Sequence, residues 1–66
     1  MIINNIILKL ISNDKVIIQN YNLIEHIGPE KIIVSNYIIE GVEMIVKKID
    51  GYTIEIVGQI KEIKTK

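Results

Sequence analysis

Apolar residues along this chain come in short runs, cut at close intervals by Ser12-Asn13-Asp14, Asn20-Tyr21-Asn22, Gly28-Pro29-Glu30, Ser35-Asn36, Gly41, Asp50-Gly51 and Gly58. Gaps of about five to nine residues leave room for strands and none for ordinary helices. The pattern predicts strands near Ile6 to Ile11, Lys15 to Gln19, Leu23 to Ile27, Lys31 to Val34, Tyr37 to Glu40, Glu43 to Ile49, Tyr52 to Val57 and Gln59 to Lys64. That is an all-β antiparallel meander of about seven or eight short strands, arranged as a sandwich, roll or barrel. The start of the chain carries a second pattern, because Ile3, Ile6, Ile7 and Leu10 also fall at helical spacing. A strand from Ile6 onward is the preferred reading, since Ile is a mediocre helix former and Asn a poor one. The very first residues are expected to fray.

Individual turns have mechanisms. Asn13-Asp14 tolerate positive φ and suit a tight primed hairpin turn. Asp50-Gly51 is a stronger type I′ signal, with Gly51 left-handed. Gly41 and Gly58 read as further turn glycines beside Gly51. Pro29 lacks an amide donor, so Gly28-Pro29 ends the strand that contains His26.

Successive strand residues point to opposite faces. Thr53-Ile54-Glu55-Ile56 alternates, with one face apolar and one wet. Val16-Ile17-Ile18, Ile32-Ile33-Val34, Ile38-Ile39 and Met44-Ile45-Val46 are apolar on both sides. A single sheet layer would leave a row of Ile in water, at a loss of roughly 1.5 to 3 kcal/mol for each. The second layer could come from the sheet folding on itself, from another copy, or from a partner. The expected association surface is Ile32, Val34, Met44 and Val46, or their neighbours on the opposite face.

Composition narrows the setting. The 66 residues include 19 Ile and 5 Val, whose stiff branched side chains favour pleated strands. They form one small domain, of a size at which a lone core is marginal. Lys and acidic residues balance at 8 each, so bulk charge favours neither nucleic acid nor an acidic membrane surface. With no cysteine there is no disulfide framework, thiolate zinc site or thiol nucleophile. No apolar run approaches the roughly 18 residues of a membrane helix, and the Asn-interrupted start lacks the form of a signal peptide. A cytoplasmic location without direct membrane insertion is expected.

Candidate chemistry is thin. His26 stands beside Glu25, with Glu30 and Glu40 further on, but no spacing imposes a metal set. Ser12 or Ser35 with His26 and Asp14 or Asp50 would make a nominal triad, yet no nucleophile elbow frames either serine. Glu40 and Glu43 bracket a glycine, where solvated charge is the default. The glycines are scattered singly, unlike a phosphate cradle. Neither catalysis nor a cofactor or metal is expected. A β-barrel binding single-stranded nucleic acid is the alternative function, using Tyr21, Tyr37 and Tyr52 with Lys47, Lys48, Lys61, Lys64 and Lys66.

Three stretches carry a resemblance: Leu10 to Asn20 as an opening hairpin, Ile38-Ile39-Glu40-Gly41-Val42-Glu43-Met44-Ile45-Val46 as strand, glycine, strand, and Ile54 to Ile63 as two alternating strands about Gly58. Over about Ile7 to Ile63 the chain resembles the YabP/YqfC family of sporulation proteins. The resemblance implies a non-enzymatic role in spore morphogenesis, in cortex or coat maturation, within the mother cell or forespore. It also implies action beside a membrane-associated sporulation protein and carries over no catalytic residue, while a homo-oligomer is expected from the two-sided apolar strands themselves.

Overall fold

The computed structural model describes residues 5–66, so the fraying expected of the first residues concerns positions largely outside the described part. Six strands follow in order: β1 (Ile7–Ser12), β2 (Lys15–Gln19), β3 (Ile24–Ile27), β4 (Lys31–Val34), β5 (Tyr37–Ile49) and β6 (Thr53–Thr65). All pair antiparallel in one sheet of order β1-β2-β6-β5-β4-β3. The fold is therefore all-β, and the start of the chain is strand rather than helix from Ile7. Strands β3 to β6 run as a meander, and β6 then returns to lie beside β2.

The strands are fewer than the pattern predicts because two pairs merge. Gly41 and Gly58 are not turn residues; they lie inside the 13-residue strands β5 and β6. The ladder runs past them, with register shifts at Glu40/Gly41, Val42/Ile45 and Val46/Lys48. Each extra residue bends and twists its strand without ending the pairing. Glycine is required there by close approach. A Cβ on Gly41 would lie 2.2 Å from the Gln59 carbonyl oxygen, and one on Gly58 would lie 2.6 Å from Met44 Cα. Gly58 also has φ 139°, and Glu43 across from it takes φ 52°.

Two turns also depart from expectation. Gly51 does not adopt positive φ, and neither do Asn13 and Asp14. The β5–β6 connection is a wider loop, in which Asp50 Oδ1 accepts from Tyr52 N at 3.0 Å and Thr53 N at 2.8 Å. The side chain does the work that a left-handed backbone would do in a primed turn. In the β1–β2 turn the bulge at Leu10/Ser12 supplies the local twist, and Ser12 Oγ accepts from Asp14 N at 3.1 Å.

Bending β5 and β6 in mid-length folds the sheet across its middle. One half-sheet holds β1, β2, the start of β6 and the end of β5; the other holds β3, β4, the start of β5 and the end of β6. Val16, Ile18, Ile54 and Ile56 of the first half, Ile32, Val34 and Ile39 of the second, and Met44 at the bend form one buried cluster. Seven of these side chains have no exposed surface. A flat layer could not achieve that. The shortest extent, 17 Å, accommodates two layers at a sheet spacing of about 10 Å.

The two halves are related by a repeat. Exchanging β1 with β3, β2 with β4 and β6 with β5 leaves the strand order unchanged. Ile11-Ser-Asn-Asp-Lys-Val-Ile-Ile-Gln-Asn-Tyr21 and Ile27-Gly-Pro-Glu-Lys-Ile-Ile-Val-Ser-Asn-Tyr37 match with Ile, Lys, Ile, Asn and Tyr identical. The hydrogen bonds that clamp the bends repeat too. Asp14 and Asn13 carbonyls accept from Gly58 N and Ile60 N, while Glu30 and Pro29 carbonyls accept from Gly41 N and Met44 N. Each hairpin turn thus ties down the bend of one long strand.

Candidate functional site

Folding the sheet consumes the surface expected for association. Ile32 and Val34 have no exposed surface, Met44 retains 3%, and Val46 packs half-buried against the same cluster. Alternation places all four toward the fold's interior, which corrects their assignment as a docking surface. Their outward neighbours differ. Ile33 is half-buried on β4, and Ile45 is 60% exposed on β5.

Large apolar side chains remain outside the core at Ile7, Leu10, Ile11, Leu23, Ile27, Val42, Ile45, Ile49 and Tyr52. Most lie at margins of the sheet. β1 and β3 are its two end strands, each hydrogen-bonded to a neighbour on one side only among the described residues. An edge of this kind presents free N–H and C=O groups to any other strand. Among the described residues, positions 45–49 of β5 and 59–65 of β6 also lack a strand on one side, because β4 pairs only as far as Glu40 and β2 only as far as Val57.

Charge is distributed in local pairs. Glu55 lies 3.6 Å from Lys15 Nζ and 4.0 Å from Lys47 Nζ. Lys64 Nζ lies 3.1 Å from Glu40 and 3.9 Å from Glu62, and Glu40 holds the ammonium pKa above its ordinary value. Lys66 Nζ pairs with Glu25. The Asp50 carboxyl is held below its usual range by the Tyr52 and Thr53 amides that donate to it. Three of the five lysines considered for a phosphate backbone, Lys47, Lys64 and Lys66, therefore stand beside carboxylates.

The nominal catalytic groups do not converge. Ser12 Oγ serves its own turn, and buried Ser35 Oγ accepts from Asn22 N at 2.8 Å. Asp50 caps the β5–β6 loop. His26 is exposed and lines an open groove with Gly28, Pro29, Glu30, Lys31, Ile33 and Glu40. No three His, Asp or Glu side chains stand together as a metal set among the described residues. Of the tyrosines, Tyr21 is half-buried and donates to the Asp50 carbonyl at 2.8 Å, Tyr37 is half-buried, and Tyr52 is 63% exposed. No helix among the described residues is long and apolar enough to cross a membrane.

Sequence pattern admits docking through a strand edge but does not say which strands are the edges. Which strands end the sheet is decided by the return of β6 beside β2, a long-range pairing that local pattern does not encode. The 16-residue repeat was the signal available, because it identifies β1 and β3 as equivalent strands.

No family model matches the chain, and neither a curated protein nor a solved structure matches it.

Proposed function

We propose that the chain is a non-enzymatic sporulation protein, a small β scaffold or adaptor that acts in spore morphogenesis, in cortex or coat maturation, through protein–protein association. One observation carries the association. After the core is complete, apolar side chains still stand outward beside strand edges with free backbone groups. Strand addition to such an edge draws affinity from main-chain hydrogen bonds and selectivity from alternate side chains. The sporulation setting rests on the resemblance to the YabP/YqfC family. In this reading the protein works in the mother cell or forespore, with further copies of itself or a membrane-associated sporulation protein as partner. Lysines paired with Glu25, Glu40, Glu55 and Glu62 favour protein over nucleic acid as that partner.

Deleting the gene in the source organism tests the setting. Heat-resistant spore counts should fall by an order of magnitude or more while vegetative growth is unchanged. Wild-type counts of resistant spores in the deletion strain would overturn the assignment.

A further inference from the structure

The two end strands of the sheet carry matching apolar residues and opposite charges. The 16-residue repeat aligns β1 with β3, so Ile7 corresponds to Leu23, Lys9 to Glu25 and Ile11 to Ile27. The apolar positions are exposed at both edges: 41% for Ile7 on β1 and 57% for Leu23 immediately before β3, 55% for Ile11 and 51% for Ile27. A large apolar residue in water twice, at equivalent places on two edges, is a feature that core packing does not require. The middle position differs in sign. Lys9 and Glu25 are both exposed, and among the described residues Glu25 is bonded to Lys66 through Oε1. An ionised carboxylate has a second oxygen with which to accept.

We infer that the protein assembles head to tail, with β1 of one copy pairing antiparallel to β3 of the next. An antiparallel register that sets Lys9 against Glu25 brings Ile11 toward Leu23 at one end and Ile7 toward Ile27 at the other, where Ile27, opposite Ile32 beyond the bulge of β3 between Ile24 and His26, leans to the inner face. The like pairings are disfavoured. β1 on β1 in the same register puts Lys9 against Lys9, and β3 on β3 puts Glu25 against Glu25, and like charges directly opposite are destabilising. Because β1 and β3 run in opposite directions within the antiparallel sheet, the contact continues that sheet from copy to copy. Unlike patches that meet head to tail generate an open filament or a ring rather than a two-fold dimer. The inference rests on the association reading but not on the sporulation setting, so the spore counts above and the experiment below can fail separately.

The test is light scattering on the purified chain over a range of concentrations at low salt, about 0.02 M. Mass should climb with concentration beyond a dimer and fall back as salt rises. Lys9→Glu and Glu25→Lys, each checked by far-UV circular dichroism, should each weaken the contact by about tenfold. Mixing the two variants should restore assembly, because every contact between unlike variants again joins opposite charges. The double variant should assemble alone for the same reason. Should a reversal unfold the chain, Lys9→Gln and Glu25→Gln remove one charge each and must still weaken the contact. A monomer at every concentration overturns the inference. So does a dimer that stops growing, or an assembly indifferent to Glu25→Lys.

Discussion

The two half-sheets begin from nearly the same hairpin and close by different means. Val16 and Ile18 in the first half occupy the positions of Ile32 and Val34 in the second, and all four are fully buried. The bends differ. β6 turns at Gly58, where backbone with φ 139° leaves no room for a Cβ. β5 turns over a longer stretch, with Gly41 against the Gln59 carbonyl and Glu43 held at φ 52°. The hairpin interior is set by apolar alternation and tolerates only like for like. The bend has several solutions, provided that one strand gives up its side chain where the other crosses it.

The largest expected effect tests whether the repeat is energetically as well as geometrically equivalent. Ile18→Lys and Val34→Lys each place an ammonium where no surface is exposed, one in each half. A buried unpaired charge costs several kcal/mol, comparable to the whole stability of a small domain. Both variants should be unfolded by circular dichroism at 25 °C. A folded Val34→Lys beside an unfolded Ile18→Lys would make the second half dispensable to the core, contrary to the single cluster both halves share.

Next in size are the bends. Gly58→Ala adds a Cβ within 2.6 to 3.0 Å of Met44 backbone and the Glu43 carbonyl, at a φ that side chains resist. Strain and overpacking together should cost about 3 kcal/mol or more. Gly41→Ala meets the Gln59 carbonyl oxygen at 2.2 Å without a positive φ, so parting the two strands can relieve part of its clash. Urea midpoints should rank wild type above Gly41→Ala above Gly58→Ala. Equal losses would show that close approach alone, and not backbone conformation, distinguishes the two glycines.

Much of this was legible in the residues, for physical reasons that also mark where legibility stops. β-Branched runs and the turn residues that flank them locate Lys15–Gln19 and Lys31–Val34 to the residue, because both limits of each strand are written in adjacent positions. Gly41 and Gly58 read as turns because a glycine between two apolar runs looks the same whether the chain reverses there or merely bends. The choice depends on whether the opposite strand continues, which is information held 17 to 19 residues away in the ladder from Gly41 to Ile60 and Val42 to Gln59. Of the two faces open for association, the one with Ile32, Val34, Met44 and Val46 is core for a related reason. Two-sided apolar strands do signal surplus surface, but the inward set closes on itself, and the surplus is left outside it, at Ile7, Ile11, Leu23 and Ile27 on the end strands and their flanks and at Ile45 and Ile49 on β5 among others.

The smallest effect separates the halves by pH. The first half ends in the β5–β6 loop, where Asp50 Oδ1 accepts from two backbone amides and its pKa is lowered for that reason. A carboxyl depressed in the folded state binds fewer protons there than in the unfolded chain. Its stabilisation is therefore present above the ordinary carboxylate range and is lost as pH falls through the depressed value. Asp50→Asn keeps an acceptor oxygen but cannot titrate. Between about pH 6 and about pH 2 the thermal midpoint of the wild type should fall further than that of Asp50→Asn. Amide shifts of Tyr52 and Thr53 should move over the same interval in the wild type only, while Ile32 and Val34 in the second half hold still. Movement of both sets together would mean that acid loosens the shared core before the loop, and that the two halves do not respond to protonation independently.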